Sequence, residues 1–196
     1  KEFWTTLSGV AFNPRYGLFR ANAAQQLYPN PASAALHGAD HCRLFEFLGR
    51  ILGKALYEGL TVQPQLAHFF LSKVLGKLNS LGDLPSLDME LYKNLMFLKT
   101  YAGDVEDLCL TFTVTEEAVC GGKNTEVGLL TGTSGDGDVP VTASNALMYI
   151  YKVADHRLNR QCRAQSDAFV RGLHAVVPGQ WLRMFSQPEL QLLVSG

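Results

Sequence analysis

The strongest structural constraint in this sequence is an apolar repeat between residues 40 and 57. Apolar side chains recur there at spacings of three and four residues: Leu44, Phe47, Leu48, Ile51, Leu52, Ala55 and Leu56. This is the pattern of a helix with one buried face, and Asp40 stands where an N-cap would be. Gly49 and Gly53 lie four residues apart and would let another helix approach closely. The repeat therefore predicts a long core helix that packs against a second helix.

Prolines and apolar spacing divide the rest of the first half. We expect a turn at 13–17, a short extended piece at 18–20 and an irregular loop at 27–31, where two prolines disfavour helix. A second helix is predicted from Pro64 to about Leu75. A third is predicted from a cap at Ser86 or Asp88 to about Tyr101.

The second half predicts a hairpin followed by one long helix. Alternating, β-branched residues at 108–114 and 125–130 flank Gly121-Gly122 and indicate two paired strands. A flexible loop is expected at 131–138. A helix that starts at Thr142 or Ser144 and ends at Leu173 would be about 45 Å long. Because its ends are apolar and its middle is polar, we interpret it as a strut between two packed bodies; two short helical pieces follow, at 181–185 and 190–194.

Composition and charge exclude several function classes. The chain has 196 residues, 47% of them hydrophobic, and a net charge of -1, which gives no electrostatic basis for binding nucleic acid or an anionic membrane. No apolar run reaches the roughly 20 residues of a transmembrane helix, and the first residues do not form a signal peptide. The start without Met suggests a piece of a longer protein. The four cysteines, Cys42, Cys109, Cys120 and Cys162, form no paired spacing and favour a reducing, cytoplasmic setting. The nucleus is a second expected location beside the cytoplasm.

Two local patterns resemble ligand sites without matching them. Gly49 to Lys54 (GRILGK) is one residue too short for a phosphate-binding loop and falls inside a helical pattern. His37, His41 and Cys42 match no zinc spacing, so capping and core roles are favoured. The sequence shows no activating neighbourhood, a base or an electropositive pocket, that would make any of the four cysteines a nucleophile. We therefore expect no cofactor, no metal and no catalytic centre within these residues.

The segment from 88 to 101 carries more apolar side chains than one buried face needs. On a helical wheel Leu91, Leu95 and Leu98 share one face, and the others occupy two further faces: Met89, Tyr92 and Met96, then Phe97 and Tyr101. A solvated helix normally has a single apolar stripe. One interpretation is a helix that is buried on most sides. The other is an exposed apolar surface that binds a transient protein partner.

Several stretches across nearly the whole chain form a recognisable series. The longest is FEFLGRILGKALYEG at 45–59, and the others are 18–20, 27–31, 69–73, 86–88, 91–95, 139–142, 157–161, 184–185 and 189–190. These stretches, in the same order, resemble the N-terminal lobe of HECT-type ubiquitin-protein ligases. The YKNL sequence at 92–95 and WLRMF at 181–185 are most similar to the subgroup with an IQ motif upstream.

The order of the predicted elements already indicates two subdomains, and together with the resemblance it predicts an α+β, predominantly helical and bilobed fragment. A larger helical subdomain would comprise 1–76 and 151–196, and a small inserted subdomain with the hairpin would comprise 77–150. In the family the small subdomain docks a ubiquitin-conjugating enzyme in an apolar groove. Matching positions place that groove at Leu91, Leu95, Leu98, Tyr101, Leu108, Leu110 and Tyr149. Some members also bind ubiquitin on the larger subdomain, where Leu44 would take part.

In the family, ubiquitin passes from the conjugating enzyme to a cysteine of a second lobe and then to a substrate lysine. That cysteine follows a threonine, whereas no cysteine here does. The resemblance therefore implies a ligase in the intact protein and an inactive recruitment lobe in this chain, with substrates bound by other regions. The alternative is a stand-alone helical interaction module without catalysis.

Overall fold

The computed structural model describes residues 2–116, 124–131, 136–137 and 139–196. In chain order these residues form α1 (Glu2–Ala11), β1 (Phe19–Ala21), β2 (Leu27–Pro29), α2 (Ser33–His37), α3 (His41–Tyr57), α4 (His68–Val74), α5 (Met89–Lys99), β3 (Thr113–Glu116), β4 (Thr125–Gly128), α6 (Ala146–Asp155), α7 (Arg163–His174), α8 (Gly179–Leu182) and α9 (Gln187–Ser195). The prediction of a predominantly helical α+β protein is confirmed.

Residue contacts divide the chain into two compact units. Unit 1 comprises Lys1–Asn79 and Gln161–Gly196, and unit 2 comprises Ser80–Arg160. Unit 2 is therefore an insertion in the sequence of unit 1. The sequence analysis placed the corresponding boundaries at 76 and 150.

Unit 1 is built on close packing between α3 and α7. A Cβ added to Gly49 of α3 would meet the carbonyl oxygen of Phe169, and one added to Gly172 of α7 would meet the carbonyl oxygen of Glu46. Gly53 lies against the C-terminal part of α7. The predicted close approach of a second helix at the two α3 glycines is confirmed.

The α3 prediction was right in its bounds and wrong in two details. Asp40 precedes the helix but makes no capping bond, because its carboxylate pairs with Arg43 at 3.1 Å instead. Phe47 was assigned to the buried face, yet it is 50% exposed. It lies on the opposite side of the helix from the buried Phe45, Leu48 and Leu52. Phe47 is therefore a surface residue, although it is part of the apolar repeat.

A cluster of phenylalanine rings fills the core of unit 1. The Phe19 ring lies 5.5 Å from Phe45, 6.3 Å from Phe70 and 6.2 Å from Phe169, measured between centroids. All four side chains have no detectable solvent exposure. The expected extended piece at 18–20 corresponds to β1, which delivers Phe19 into this cluster.

The predicted loop at 27–31 was wrong at its start, where Leu27–Pro29 forms β2. This strand pairs antiparallel with β1, with Phe19 opposite Pro29.

The second predicted helix, α4, starts later than predicted. The Leu27 amide donates to the Gln65 carbonyl at 2.7 Å, and the Ala67 amide donates to the Leu27 carbonyl at 2.9 Å. These bonds hold the segment before α4 extended, so the helix starts at His68 rather than Pro64.

Unit 2 contains α5, the β3–β4 pair and α6. The two strands pair antiparallel from Thr113 opposite Gly128 to Glu116 opposite Thr125, which confirms the predicted hairpin pairing. The first strand is shorter than predicted, because Glu106–Leu108 forms a 3₁₀ turn and Cys109 adopts a left-handed backbone conformation at φ 50°. The predicted turn at Gly121-Gly122, the loop residues 132–135 and 138, and Cys120 lie outside the described residues.

The prediction of one uninterrupted strut was wrong. After α6 the chain is π-helical over His156–Arg160, turns, and resumes as α7. Asp155 accepts hydrogen bonds from the side chains of Asn159 at 3.0 Å and Arg160 at 2.8 Å, four and five residues later. Cys162 then leaves helical geometry, and its thiol donates to the Pro29 carbonyl at 3.1 Å.

The last helices of unit 1 follow the two short pieces predicted at 181–185 and 190–194. Ser186 caps α9 in a capping box, in which its hydroxyl and amide both bond the Glu189 carboxylate at 2.7 Å. The Gln191 side chain accepts from the Leu66 amide at 2.7 Å and fixes α9 on the strand-like segment before α4. Within the described part of the chain, no helix combines the length and apolar character needed to cross a membrane.

Candidate functional site

The candidate site lies in unit 2 and is centred on α5. The Asp88 carboxylate caps this helix by accepting from the Leu91 amide at 2.9 Å. A 3₁₀ turn at Leu81–Ser86 comes before it, in which the Ser80 amide and hydroxyl both donate to Asp83. The capped start and this turn fix where α5 begins. The predicted helix is confirmed, although it ends at Lys99 rather than Tyr101, and Asp88 is its cap of the two candidates, Ser86 and Asp88.

The leucine face of α5 points mainly inward. Leu95 is 4% exposed and Leu98 is 6% exposed, whereas Leu91 is half-buried. Other apolar residues of unit 2 are equally buried: Leu84, Val105, Phe112, Leu129, Val141, Ile150 and Val153. Two of the predicted groove residues, Leu95 and Leu98, therefore belong to the core of unit 2, and a partner could touch only their edges.

The exposed apolar area of α5 belongs to other residues. Met89 is 50% exposed and Phe97 is 60% exposed. The Phe97 and Tyr101 rings lie 5.5 Å apart in a tilted arrangement. Tyr101 also covers the backbone of Gly103, where an added Cβ would lie 2.7 Å from the phenol oxygen. Sequence analysis placed Phe97 on a surplus face but not in the groove.

The chain after α5 carries Leu108 and Leu110, which were predicted on a hairpin strand. Leu108 ends the 3₁₀ turn and is 37% exposed. Leu110 is half-buried and lies before the start of β3. The Leu110 carbonyl accepts from the Val141 amide at 2.8 Å, and Thr111 forms an isolated bridge with Pro140. Strand placement of the two leucines was wrong, because the left-handed Cys109 interrupts the extended chain.

Tyr149 is the groove residue predicted on α6. It is half-buried, and its ring meets the buried Phe112 ring edge-on at 5.5 Å. The Tyr149 phenol is neutral near pH 7 at its ordinary pKa, and burial raises that pKa further. Asn145 fixes the start of α6 by accepting from the Thr142 amide at 2.8 Å. Tyr149 therefore presents a neutral, partly covered ring.

A run of acidic residues follows Tyr101. Asp104, Glu106 and Asp107 are all exposed, and Asp104 accepts from the Glu106 amide at 3.0 Å. This run was not among the predicted site residues, although its three carboxylates lie within four residues of the sequence. Together with the groove residues it gives unit 2 an apolar surface with an acidic border.

The sites that sequence analysis rejected have structural roles. GRILGK lies inside α3, not in a loop after a strand. His37 bonds the Tyr16 carbonyl at 2.8 Å, and the His41 ring bonds the Ser33 hydroxyl at 3.0 Å. Among the described residues, no three His, Cys, Asp or Glu side chains gather in a metal-binding geometry.

Comparison with known proteins identifies the family. A family model described as HECT-domain (ubiquitin-transferase) matches residues 5–196. The chain belongs to the HECT-domain family. It is 45% identical over 196 residues to E3 ubiquitin-protein ligase UPL6 of Arabidopsis thaliana, with all of the chain and 18% of that protein aligned. It is 40% identical over 202 residues to Ubiquitin-protein ligase E3B of Homo sapiens, again covering all of the chain and 18% of that protein.

A third relative of this HECT-domain chain is E3 ubiquitin-protein ligase HUL5 of Saccharomyces cerevisiae, which is 37% identical over 202 residues that cover all of the chain and 21% of that protein. The chain thus spans about a fifth of the length of these relatives. The family prediction is confirmed, and the match to E3B is consistent with the predicted subgroup.

Proposed function

We propose that this HECT-domain chain recruits a ubiquitin-conjugating enzyme through unit 2 of a larger ubiquitin-protein ligase. The observation that carries the proposal is the set of half-buried apolar side chains beside a closed core: Leu91, Tyr101, Leu110 and Tyr149. Side chains of this kind are only partly covered by their own unit, so a partner can bury the remainder. The relatives, all named ubiquitin-protein ligases, support the partner class.

The proposed surface suits a transient complex. Leu95 and Leu98 form its buried floor and contribute little area, while Tyr101 and Tyr149 offer aromatic faces of the type enriched in protein interfaces. A charged donor enzyme must bind and a discharged one must leave. Interfaces below roughly 1,200 Å² have that weak, exchanging character.

In the whole protein, ubiquitin would pass from the bound enzyme to a cysteine in a second lobe and then to a substrate lysine. This chain supplies recruitment only, because none of its cysteines follows a threonine. Ubiquitin itself, held non-covalently near the half-buried Leu44 of unit 1, is a further proposed partner. Substrates would bind through regions outside residues 1–196.

The recruitment proposal is tested by titrating the chain with a panel of purified ubiquitin-conjugating enzymes. Leu91→Asp and Tyr101→Asp should abolish binding, because each places a charge on a half-buried apolar position. Leu95→Asp is unsuitable, since a charge at a side chain that is 4% exposed would unfold unit 2.

Leu192→Asp is the matched control, because Leu192 is 64% exposed on α9 of unit 1. All three variants should keep the wild-type circular dichroism spectrum. Normal binding by a folded Tyr101→Asp variant, or no binding of any conjugating enzyme by the wild type, would refute the docking assignment.

Catalytic incapacity of the chain has its own assay. The chain is incubated with activating enzyme, a conjugating enzyme, ubiquitin and ATP. The chain should carry no ubiquitin adduct of the kind that a reducing agent removes. Such an adduct, lost in one Cys→Ser variant, would contradict the inactive-lobe assignment.

A further inference from the structure

A polar cluster in unit 1 has no part in the recruitment function proposed above. It consists of Ser33, His41, Cys42 and Gln165, which come from α2, α3 and α7. Ser33 has no detectable solvent exposure and Gln165 is 5% exposed, while His41 and Cys42 are half-buried. Buried polar side chains need hydrogen-bond partners, and here the partners form one chain of contacts that ends at a thiol.

The contacts run from the core of unit 1 outward to the Cys42 thiol. The Gln165 side-chain amide donates to the Ser33 hydroxyl oxygen at 3.4 Å. Ser33 Oγ lies 3.0 Å from Nδ1 of His41, and Nε2 of the same ring lies 3.4 Å from the Cys42 sulfur. The His41 ring also meets the buried Phe45 ring edge-on, at 6.4 Å between centroids. The imidazole is therefore fixed by its neighbours with one nitrogen next to the thiol.

The pairing of His41 with Cys42 does not follow from the sequence, in which no activated cysteine was predicted. Consecutive residues of a helix point in different directions, so their side chains do not normally meet. The hydrogen bond to Ser33, eight residues earlier, orients the His41 ring toward the sulfur. A nucleophile, a base within hydrogen-bond reach and a third group that orients the base form the arrangement that activates a thiol.

The protonation states of the imidazole fit this arrangement. With its proton on Nδ1, the His41 ring donates to the Ser33 hydroxyl oxygen and leaves Nε2 to accept the thiol proton. After that transfer the imidazolium donates from both nitrogens, and both acceptors are already in place. Cys42 is also the second residue of α3, where the positive end of the helix dipole stabilises a thiolate.

The two other cysteines among the described residues have different surroundings. Cys109 is exposed, and its thiol donates to the Asp107 carbonyl at 3.8 Å. Cys162 is 2% exposed and donates to the Pro29 carbonyl at 3.1 Å. Exposure therefore favours Cys109 as the most reactive thiol, whereas activation by a neighbouring base favours Cys42.

We propose that Cys42 is a modification site that reacts with hydroperoxides, with His41 as its base and Ser33 as the group that positions His41. Nε2 of His41 takes the thiol proton, and the thiolate attacks the terminal oxygen of the hydroperoxide. An S–O bond forms and the O–O bond breaks, so the sulfur is oxidised by two electrons to a sulfenic acid. The imidazolium returns the proton to the leaving oxygen, which departs as water or as an alcohol. A small oxidant of this kind suits a half-buried sulfur.

The experiment measures the rate at which each cysteine of the reduced 196-residue chain reacts with hydrogen peroxide. A dione reagent traps the sulfenic acid, and mass spectrometry of peptides assigns each adduct to a residue. Cys42 should react at least about tenfold faster than Cys109, a modest share of the roughly 10²–10⁴-fold that a positioned acid–base group contributes. Because Cys109 is the more exposed thiol, reaction in proportion to exposure would give the opposite order.

Two substitutions test the partners of Cys42. His41→Gln removes the base and keeps a polar side chain, so it should slow the reaction of Cys42 about tenfold and leave Cys109 unchanged. Ser33→Ala removes the orienting hydroxyl and should slow Cys42 about threefold, a smaller loss because the base remains.

His37→Gln is the matched control, because His37 is a half-buried histidine of the same segment that bonds the Tyr16 carbonyl. It should leave the Cys42 rate unchanged, and circular dichroism should show the wild-type fold for all three variants.

Equal rates at Cys42 and Cys109, or faster reaction at Cys109, would overturn the inference. An unchanged Cys42 rate in a folded His41→Gln or Ser33→Ala variant would overturn it as well, because the thiol would then react without its partners. The wild-type comparison needs no substitution, so it decides the question even where a variant unfolds. These rates do not depend on a conjugating enzyme, and the inference and the recruitment function are therefore tested separately.

Discussion

Replacing Gly172 with alanine should destabilise unit 1, although alanine is the better helix former. Within a helix interior, Gly to Ala contributes about 1 kcal/mol of stability through backbone entropy. At this position, however, the new Cβ would meet the carbonyl group of Glu46 and lie 3.1 Å from the Arg50 amide. These are backbone atoms of α3, which cannot rotate away as a flexible side chain would.

The magnitude follows from what must move. To relieve the contact, α3 and α7 must separate by roughly 1 Å, and a gap of that size forfeits a quarter to a half of each affected dispersion contact. Overpacking costs typically reach about 3 kcal/mol, and a backbone clash belongs at that upper end. After subtracting the propensity gain of about 1 kcal/mol, we expect a net loss of about 2 kcal/mol.

The assay is urea unfolding followed by tryptophan fluorescence, because both tryptophans, Trp4 and Trp181, belong to unit 1. A loss of about 2 kcal/mol should lower the unfolding midpoint by about 1 M urea. Gly9→Ala is the control: Gly9 lies in α1 with nothing within 4 Å of an added Cβ, so it should stabilise slightly. If Gly172→Ala is as stable as Gly9→Ala, the close α3–α7 packing described here is wrong.

Three further predictions concern single polar groups. Ser186→Ala should lower the free energy of unfolding by about 1 kcal/mol, because it removes the capping hydroxyl that bonds Glu189. The same urea titration measures this loss, and an unchanged unfolding midpoint would contradict the capping role. The hydrogen bond from Arg171 lowers the pKa of Glu46, so this carboxylate contributes stability above pH 4.5 that is lost as pH falls through its lower folded-state pKa. Glu46→Gln should therefore flatten the acid side of a curve of unfolding free energy against pH. An unaltered curve would show that the Glu46–Arg171 pair is not formed. Asp136→Ala should destabilise unit 2 by about 2 kcal/mol or more, because the buried Asp136 carboxylate accepts from the Leu130 and Thr131 amides at 2.6 and 2.7 Å. Thermal unfolding followed by circular dichroism should show a lower transition temperature. An unchanged transition temperature would show that these two hydrogen bonds do not stabilise unit 2.

The proposed docking surface consists of apolar side chains that unit 2 leaves incompletely buried. The core of unit 2 is closed by residues such as Leu84 and Phe112, which have no detectable exposure. Phe97 and Leu108 remain outside it, although they are as apolar as the residues inside. Solvation of that area is unfavourable in the free chain, and a partner that covers it recovers the corresponding free energy.

The sequence by itself determined the parts of this protein that depend on local pattern. Periodicity predicted α3 and α5, and the glycine pair at Gly49 and Gly53 predicted a close helix contact. The cap of α5 was narrowed to two candidates, Ser86 and Asp88. These features need only neighbours along the chain or a general property of a residue type, which is why a single sequence suffices for them.

Only the tertiary structure decided the features that depend on contacts between residues far apart in the sequence. The bonds between Leu27 and the chain before α4 turn an expected loop and a helix start into strand-like segments. Apolar spacing places Phe97 and Leu95 on two different apolar faces of α5, but it does not tell which of these faces the unit covers. Only the packing of unit 2 leaves the first exposed and buries the second, because burial is set by which side of α5 the rest of the unit covers.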